Sequence, residues 1–187
     1  PITAKEVDVK KLSRDIFDEV NKLREKPSAA AYVMTKMRDS AKPAPPNGLA
    51  ITFPDASATH GDSRDFATLL YLNSAIATAR NTAPMGTLTW SDELASAAQK
   101  YAEKNPSGHN AFNSTPASRI AEVGSHRGMA ESIDYVGYTG VLATYRLFID
   151  SNVPSLGHRT MMIKPELTHL GVGCSYIKQT DRVTCVL

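Results

Sequence analysis

The chain has 187 residues, 42% of them hydrophobic and 21% charged, with 11 glycines, 11 prolines and two cysteines. A chain of this size removes about 70% of its unfolded surface from water in a single core, and the composition excludes disordered, collagenous and disulfide-knot scaffolds. With 21 Lys and Arg against 19 Asp and Glu, the formal charge is +2 and no basic block is present, so nucleic-acid binding has no electrostatic support.

Leu12, Ile16, Phe17, Val20 and Leu23 fall on one stripe of a helix that ends before Pro27, because proline disfavours helical geometry in the residue before it. Ala29, Tyr32, Val33 and Met37 mark a second, short helix. From about 39 to 63 the segments KPAPPNG and FPDASATHGD argue against regular structure, and this stretch reads as a Pro-rich surface insertion. A helix is expected over Arg64 to Ala79, carrying Phe66, Leu69, Leu70, Asn73 and Ile76. After Trp90, Ser91 is a natural N-cap, and Asp92 and Glu93 suit the positive end of a helix dipole. Leu94, Ala97, Ala98, Tyr101 and Ala102 then repeat at helical spacing, with alanines small enough for another layer to approach closely. Asn105, Pro106 and Gly108 stop that helix.

A further helix is expected from Gly140 to about Asp150. The longest apolar stretch lies here, Val141 to Ile149, and is interrupted by Thr144 and Arg146. It is far shorter than the roughly 18 residues of a span, so the chain is read as not integral to a membrane. At the C-terminus, Val172, Cys174 and Tyr176 and then Val183, Cys185 and Leu187 alternate on either side of Lys178 to Asp181, the pattern of a hairpin. It can set the two thiols opposite one another. A disulfide would close a loop of about 10 residues and stabilise by about 2 to 3 kcal/mol, in keeping with an oxidising compartment; the alternative is two small apolar residues in a reduced sheet. Asn113-Ser114-Thr115 matches a glycosylation sequon but is short enough to arise by chance. Helices bracketing a terminal sheet predict an α+β layered fold in a single domain over residues 1–187.

Phosphate-loop, dinucleotide, nucleophile-elbow and zinc-helix motifs are all missing from the sequence. Five histidines and a few acids remain. His109 in NPSGHN and His158 in VPSLGHR each follow a glycine that frees the backbone to turn the ring inward. His60 and His126 sit in polar loops and read as surface residues, and His169, just before a strand, reads as structural. Glu131 and Asp150 are carboxylates among apolar neighbours, where burial is costly unless a cation, donor or metal is met. Taken singly, each histidine is equally a surface or core ring and each acid a helix cap.

Several segments in order resemble the CAP superfamily of SCP domains, which includes cysteine-rich secretory proteins, antigen 5 and pathogenesis-related proteins. EVNKLREKPSAAAYV is similar to the opening helix, with Asn21, Arg24 and Pro27 at the family spacing of microbial and protist members. LTWSDELASAAQKYAEK is similar to the Leu-x-Trp block and its alanine-rich helix. SGHN, GMAESIDYVG and LFIDSNVPSLGHRTMMIKPELTHLGVG follow in family order. The resemblance covers about 12–38 and 86–187, and it implies a three-layer α-β-α sandwich and a secreted protein. It also implies a cleft in which His109, Glu131, Asp150 and His158 form a metal-binding set for a divalent cation. Two imidazoles with two carboxylates suit Zn²⁺, with Mg²⁺ or Ca²⁺ as alternatives. Ala130 and Ser132 depart from the usual Gly-Glu-Asn, Asp150 stands where Glu is common, and Glu122 competes with Glu131 for the first acid. The family's additional disulfides are absent, which points away from the vertebrate, venom and plant branches.

Three functions follow from that resemblance. The first is a non-catalytic lipid-binding module for a sterol or fatty acid, its groove lined by the helices at 28–38 and 64–79. The second is an extracellular interaction or signalling protein that meets a protein partner through loops such as 42–60. The third is a metal-dependent hydrolase with Glu131 as base.

Overall fold

The computed structural model describes residues 3–44, 48–54, 69–124, 127–135 and 137–187. Helix α1 (Val9–Glu25) is capped by Asp8, whose carboxylate accepts from the Lys10 and Lys11 amides. It buries Leu12, Ile16, Val20 and Leu23, the stripe expected from the 3.6-residue period. Pro27 does more than end it: it is the first residue of α2 (Pro27–Asp39), a position where its missing N–H costs nothing.

Part of the Pro-rich insertion is regular, contrary to expectation. β1 (Lys42–Ala44) and β2 (Gly48–Ala50) pair antiparallel, Pro43 opposite Leu49. Proline is tolerated because a two-stranded ladder is all edge. Residues 55–68, with His60 and the start of the helix expected from Arg64, lie outside the described residues, as does His126. The described helix there is α3 (Leu69–Asn81).

α2 and α3 pack against each other. Ala30, Ala31, Met34 and Met37 of the first meet the core with Leu72, Ala75, Ile76 and Ala79 of the second. These belong to the helices expected to line a ligand groove; the residues named here pack into the core, while Tyr32, Leu69 and Leu70 stay exposed.

β3 (Thr89–Trp90) leads into α4 (Asp92–Ala102), where the Ser91 hydroxyl accepts from the Leu94 amide. The chain continues through α5 (Pro116–Ala121), β4 (Ile133–Asp134), α6 (Gly140–Ile149) and α7 (Gly157–Met162) to β5 (His169–Leu170), β6 (Gly173–Ile177) and β7 (Arg182–Val186). β4, β7 and β6 form an antiparallel sheet with β7 central, and β3 pairs parallel with β5. In the β6–β7 hairpin Cys174 stands opposite Cys185, and the two are joined by a disulfide.

This sheet is the middle layer. α4 packs on β6 and β7, α1 on β6 with α6 beside it, and the α2–α3 pair extends that helical layer, α2 against α1 and α3 against α6. The fold is therefore the expected α+β, three-layer α-β-α sandwich. Two glycines fix the closest approach of the layers: a Cβ on Gly171 would lie 2.0 Å from the Ala95 amide nitrogen, and one on Gly173 would lie 2.1 Å from that of Gln99. The backbone of α4 thus rests directly on the chain at β6. No helix among the described residues is long and apolar enough to cross a membrane.

Asn21 and Arg24 tie α1 to the remainder. The Asn21 amide exchanges two hydrogen bonds with the backbone of Leu88. Arg24 is buried and donates to the carbonyls of Gly86, Met162, Lys164 and Leu167.

Candidate functional site

The turn after α4 is folded around Tyr101. Its hydroxyl donates to the Gly108 carbonyl at 2.6 Å and accepts from the Ala111 amide at 3.1 Å, which holds His109 between them. Phe112 and Asn113 follow with left-handed φ of 59° and 55°, a conformation that costs a non-glycine residue about 1–3 kcal/mol. α5 begins at Thr115, whose side chain accepts from the Ser118 amide, with Pro116 at its first turn. One turn on, it delivers Arg119.

Arg119 lies with its guanidinium 3.5 Å above the Tyr101 ring. It donates to Ser114 Oγ, to the His109 carbonyl and to both oxygens of Glu131, at 2.7 and 2.6 Å. Glu131 Oε1 also meets His109 Nδ1 at 2.9 Å. The strand geometry that places Glu131 comes from its neighbour Ser132, whose backbone exchanges two hydrogen bonds with Leu187. The Ser132 hydroxyl is buried without a partner among the described residues.

The second half is built from helix ends. Asp150 caps α6 in the left-handed region, φ 59° and ψ 40°, and the main chain there turns its carboxylate toward α7. Asp150 Oδ1 meets His158 Nδ1 at 2.7 Å and Oδ2 accepts from the Arg159 amide at 3.2 Å. Arg159 is itself buried and donates to the carbonyls of Phe148, Ile149 and Tyr71 and to Ser74 Oγ. Burial pulls its pKa down and the nearby Asp150 charge opposes this. Arg159 thereby ties α3 and α6 to α7, next to the aspartate that holds His158.

The two halves face each other. The rings of His109 and His158 are 6.3 Å apart between centroids and inclined by 41°. The carboxylate side is dry and the imidazole side wet: the Asp150 side chain is 0% exposed and that of His109 44%. An ionised carboxylate only accepts hydrogen bonds, so Nδ1 is the donor in each pair and Nε2 is the ring nitrogen left for a ligand. A carboxylate behind a histidine in this way orients the ring and raises its basicity as a ligand.

His109, Glu131, Asp150 and His158 are therefore brought together, but as two imidazole–carboxylate pairs. Among the described residues no three His, Cys, Asp or Glu side chains converge on one point, and both oxygens of Glu131 are engaged by Arg119, one of them also by His109. This differs from a set of four direct donors. Glu122, the competing acid, is exposed at the end of α5. His169 lies exposed in β5, and Asn113 lies in the exposed turn. Sequence reasoning passed over Arg119. Its only trace is the Thr-Pro start of a short helix, and the stacking on Tyr101 that makes it useful leaves no sequence signal.

A cavity of about 100 Å³ opens beneath α4, lined by Leu88, Leu94, Met162, Leu167 and Leu187, with Arg119 and Glu131 in its wall. It lies away from the α2–α3 faces where a groove was expected.

A family model described as "CAP: Cysteine-rich secretory protein family" matches residues 73–187, a span that includes all four cleft residues and Arg119. Among solved structures the chain is similar to an outer surface protein from Borrelia burgdorferi, at 19% identity and a TM-score of 0.42, over 63% of this chain and 86% of that one. No curated protein matches.

Proposed function

Because the chain belongs to the CAP, cysteine-rich secretory protein family, we propose that it is a secreted, non-catalytic binding module whose cleft takes a divalent cation between His109 and His158. The observation that supports this is the pair of imidazoles, each pinned through Nδ1 by a carboxylate, with ring centroids 6.3 Å apart. Two metal–nitrogen bonds of about 2.0–2.1 Å plus the inner halves of the rings span a gap of that order. Imidazole nitrogen suits Zn²⁺, whereas Mg²⁺ and Ca²⁺ want oxygen, and both carboxylates are already engaged. Glu131 and Asp150 orient the rings, and Arg119 holds Glu131. A bound ion would supply a point of positive charge for an oxygen of a ligand. Glu131, the base a hydrolase would need, has both oxygens on Arg119, which favours binding over turnover.

Calorimetric titration with Zn²⁺ tests the reading. Saturable binding is expected in the wild type and its loss in His109→Ala and His158→Ala, while Glu131→Gln and Asp150→Asn weaken it about 10- to 100-fold. Undiminished binding by the double His→Ala variant, or none by the wild type, overturns it.

A second reading, an apolar-ligand module of the sterol or fatty-acid type, is supported by the cavity beneath α4. Its volume is a fraction of a sterol and admits only part of an acyl chain. The loop proposed for a protein partner, 42–60, lies mostly outside the residues whose side chains are described.

A further inference from the structure

We propose that the cavity beneath α4 selects an uncharged aliphatic group, and that the Arg119–Glu131 pair excludes a carboxylate head from it. This rests on the apolar-ligand reading and narrows it to one head-group chemistry.

The lining is aliphatic and thioether: Leu94 and Ala97 from α4, Leu88 and Leu167 from the loops, Met161 and Met162 from α7. Unbranched thioethers adapt to the shape of a guest. Met129, which is 41% exposed, and the exposed His169 also line the cavity, so it meets solvent at these residues. For scale, a dry cavity of about 150 Å³ takes a benzene ring. On that scale a volume of about 100 Å³ holds roughly four carbons of a chain, the remainder passing out to solvent.

The ionic groups on the wall decide the head. Arg119 is neutralised at 2.6 and 2.7 Å by Glu131, and it donates besides to Ser114 Oγ and the His109 carbonyl. Among the described residues of the lining, the basic side chains are Arg119, matched by Glu131, and His169, which is exposed to solvent, so no unmatched guanidinium or ammonium faces the guest. A carboxylate seated here would be desolvated beside Glu131 with no cation of its own, and like charges at short range in low dielectric repel. A hydroxyl carries no such penalty and can donate to Glu131 or remain at the mouth.

The test is amide-resolved NMR titration of the full chain with a series of 1-alkanols from propanol to octanol and the matching carboxylates, at about pH 8 where the acids are ionised. Alkanol affinity is expected to rise about fourfold per methylene and to level off once the enclosed volume is filled. Shifts should centre on Leu94, Ala97 and Gly171, and each carboxylate should bind at least about tenfold more weakly than its alcohol. In Glu131→Gln the freed Arg119 should improve carboxylate binding about tenfold, closing the gap between each carboxylate and its alcohol. Should that variant not fold, the wild-type alcohol-to-carboxylate ratio decides by itself. Carboxylates binding as well as alcohols overturns the proposal and leaves the broader apolar reading standing. Shifts confined to α2 and α3 overturn the assignment to this cavity, and no saturable binding by either series overturns both readings.

Discussion

Arg119 has tasks that no lysine can take over. Its fork satisfies two Glu131 oxygens, a backbone carbonyl and a hydroxyl while its flat face covers Tyr101. An ammonium is a compact point charge without the fork or the stacking plane. Arg119→Lys should therefore weaken Zn²⁺ binding about tenfold by loosening the carboxylate behind His109, and calorimetry reads this directly. Tyr145 is a contrasting case, a buried hydroxyl away from the cleft. Burial pushes its pKa up to about 12 from the ordinary 10.0, so the folded state resists its ionisation. Its contribution is intact below pH 10 and is lost as the pH rises from 10 toward 12. Urea melts across that range should show Tyr145→Phe losing less stability than the wild type, by about 2 to 3 kcal/mol at the upper end.

Among the elements, the contact of α4 with β6 is the most demanding. A methyl group on Gly173 would collide with the nitrogen and Cα of Gln99, both backbone atoms that cannot step aside. Gly173→Ala should destabilise by about 3 kcal/mol or more, as overpacking against a rigid neighbour does. Gly86→Ala is the control: nothing lies within 4 Å of the added carbon, and denaturant midpoints should hardly move. The alanines of α4 announced this closeness from the sequence, as the Leu12–Leu23 stripe announced α1 and the alternation after Gly171 announced the hairpin. Other elements were silent for physical reasons. α5 and α7 have six residues each, under two turns, and β3 and β5 have two each. Neither length shows a period. The apolar faces of α2 and α3 were legible as apolar, but whether such a face meets a ligand or another helix depends on what folds over it.

For the molecule as a whole, the cleft shows the same division. His109 and Glu131 are 22 positions apart and Asp150 and His158 eight. Composition left each as an ordinary residue, and only the order of family motifs grouped them. The pairing of each ring with its own carboxylate, and Arg119 behind one of them, needed coordinates. Stability is also a property of the whole chain. In a family named for its cysteines, this chain has a single disulfide and otherwise relies on a continuous core running from Leu12 to Leu187. Replacing Cys174 and Cys185 by Ala should cost about 2 to 3 kcal/mol, and the thermal midpoint should fall with the fold retained.

That same bond offers a clock. Both cysteines are 0% exposed, sheathed by α1 and α4 on the two faces of the sheet, so a dissolved thiol reaches the sulfurs only when the layers part. The rate at which excess reductant severs it, once it no longer depends on reductant concentration, counts how often the sandwich opens.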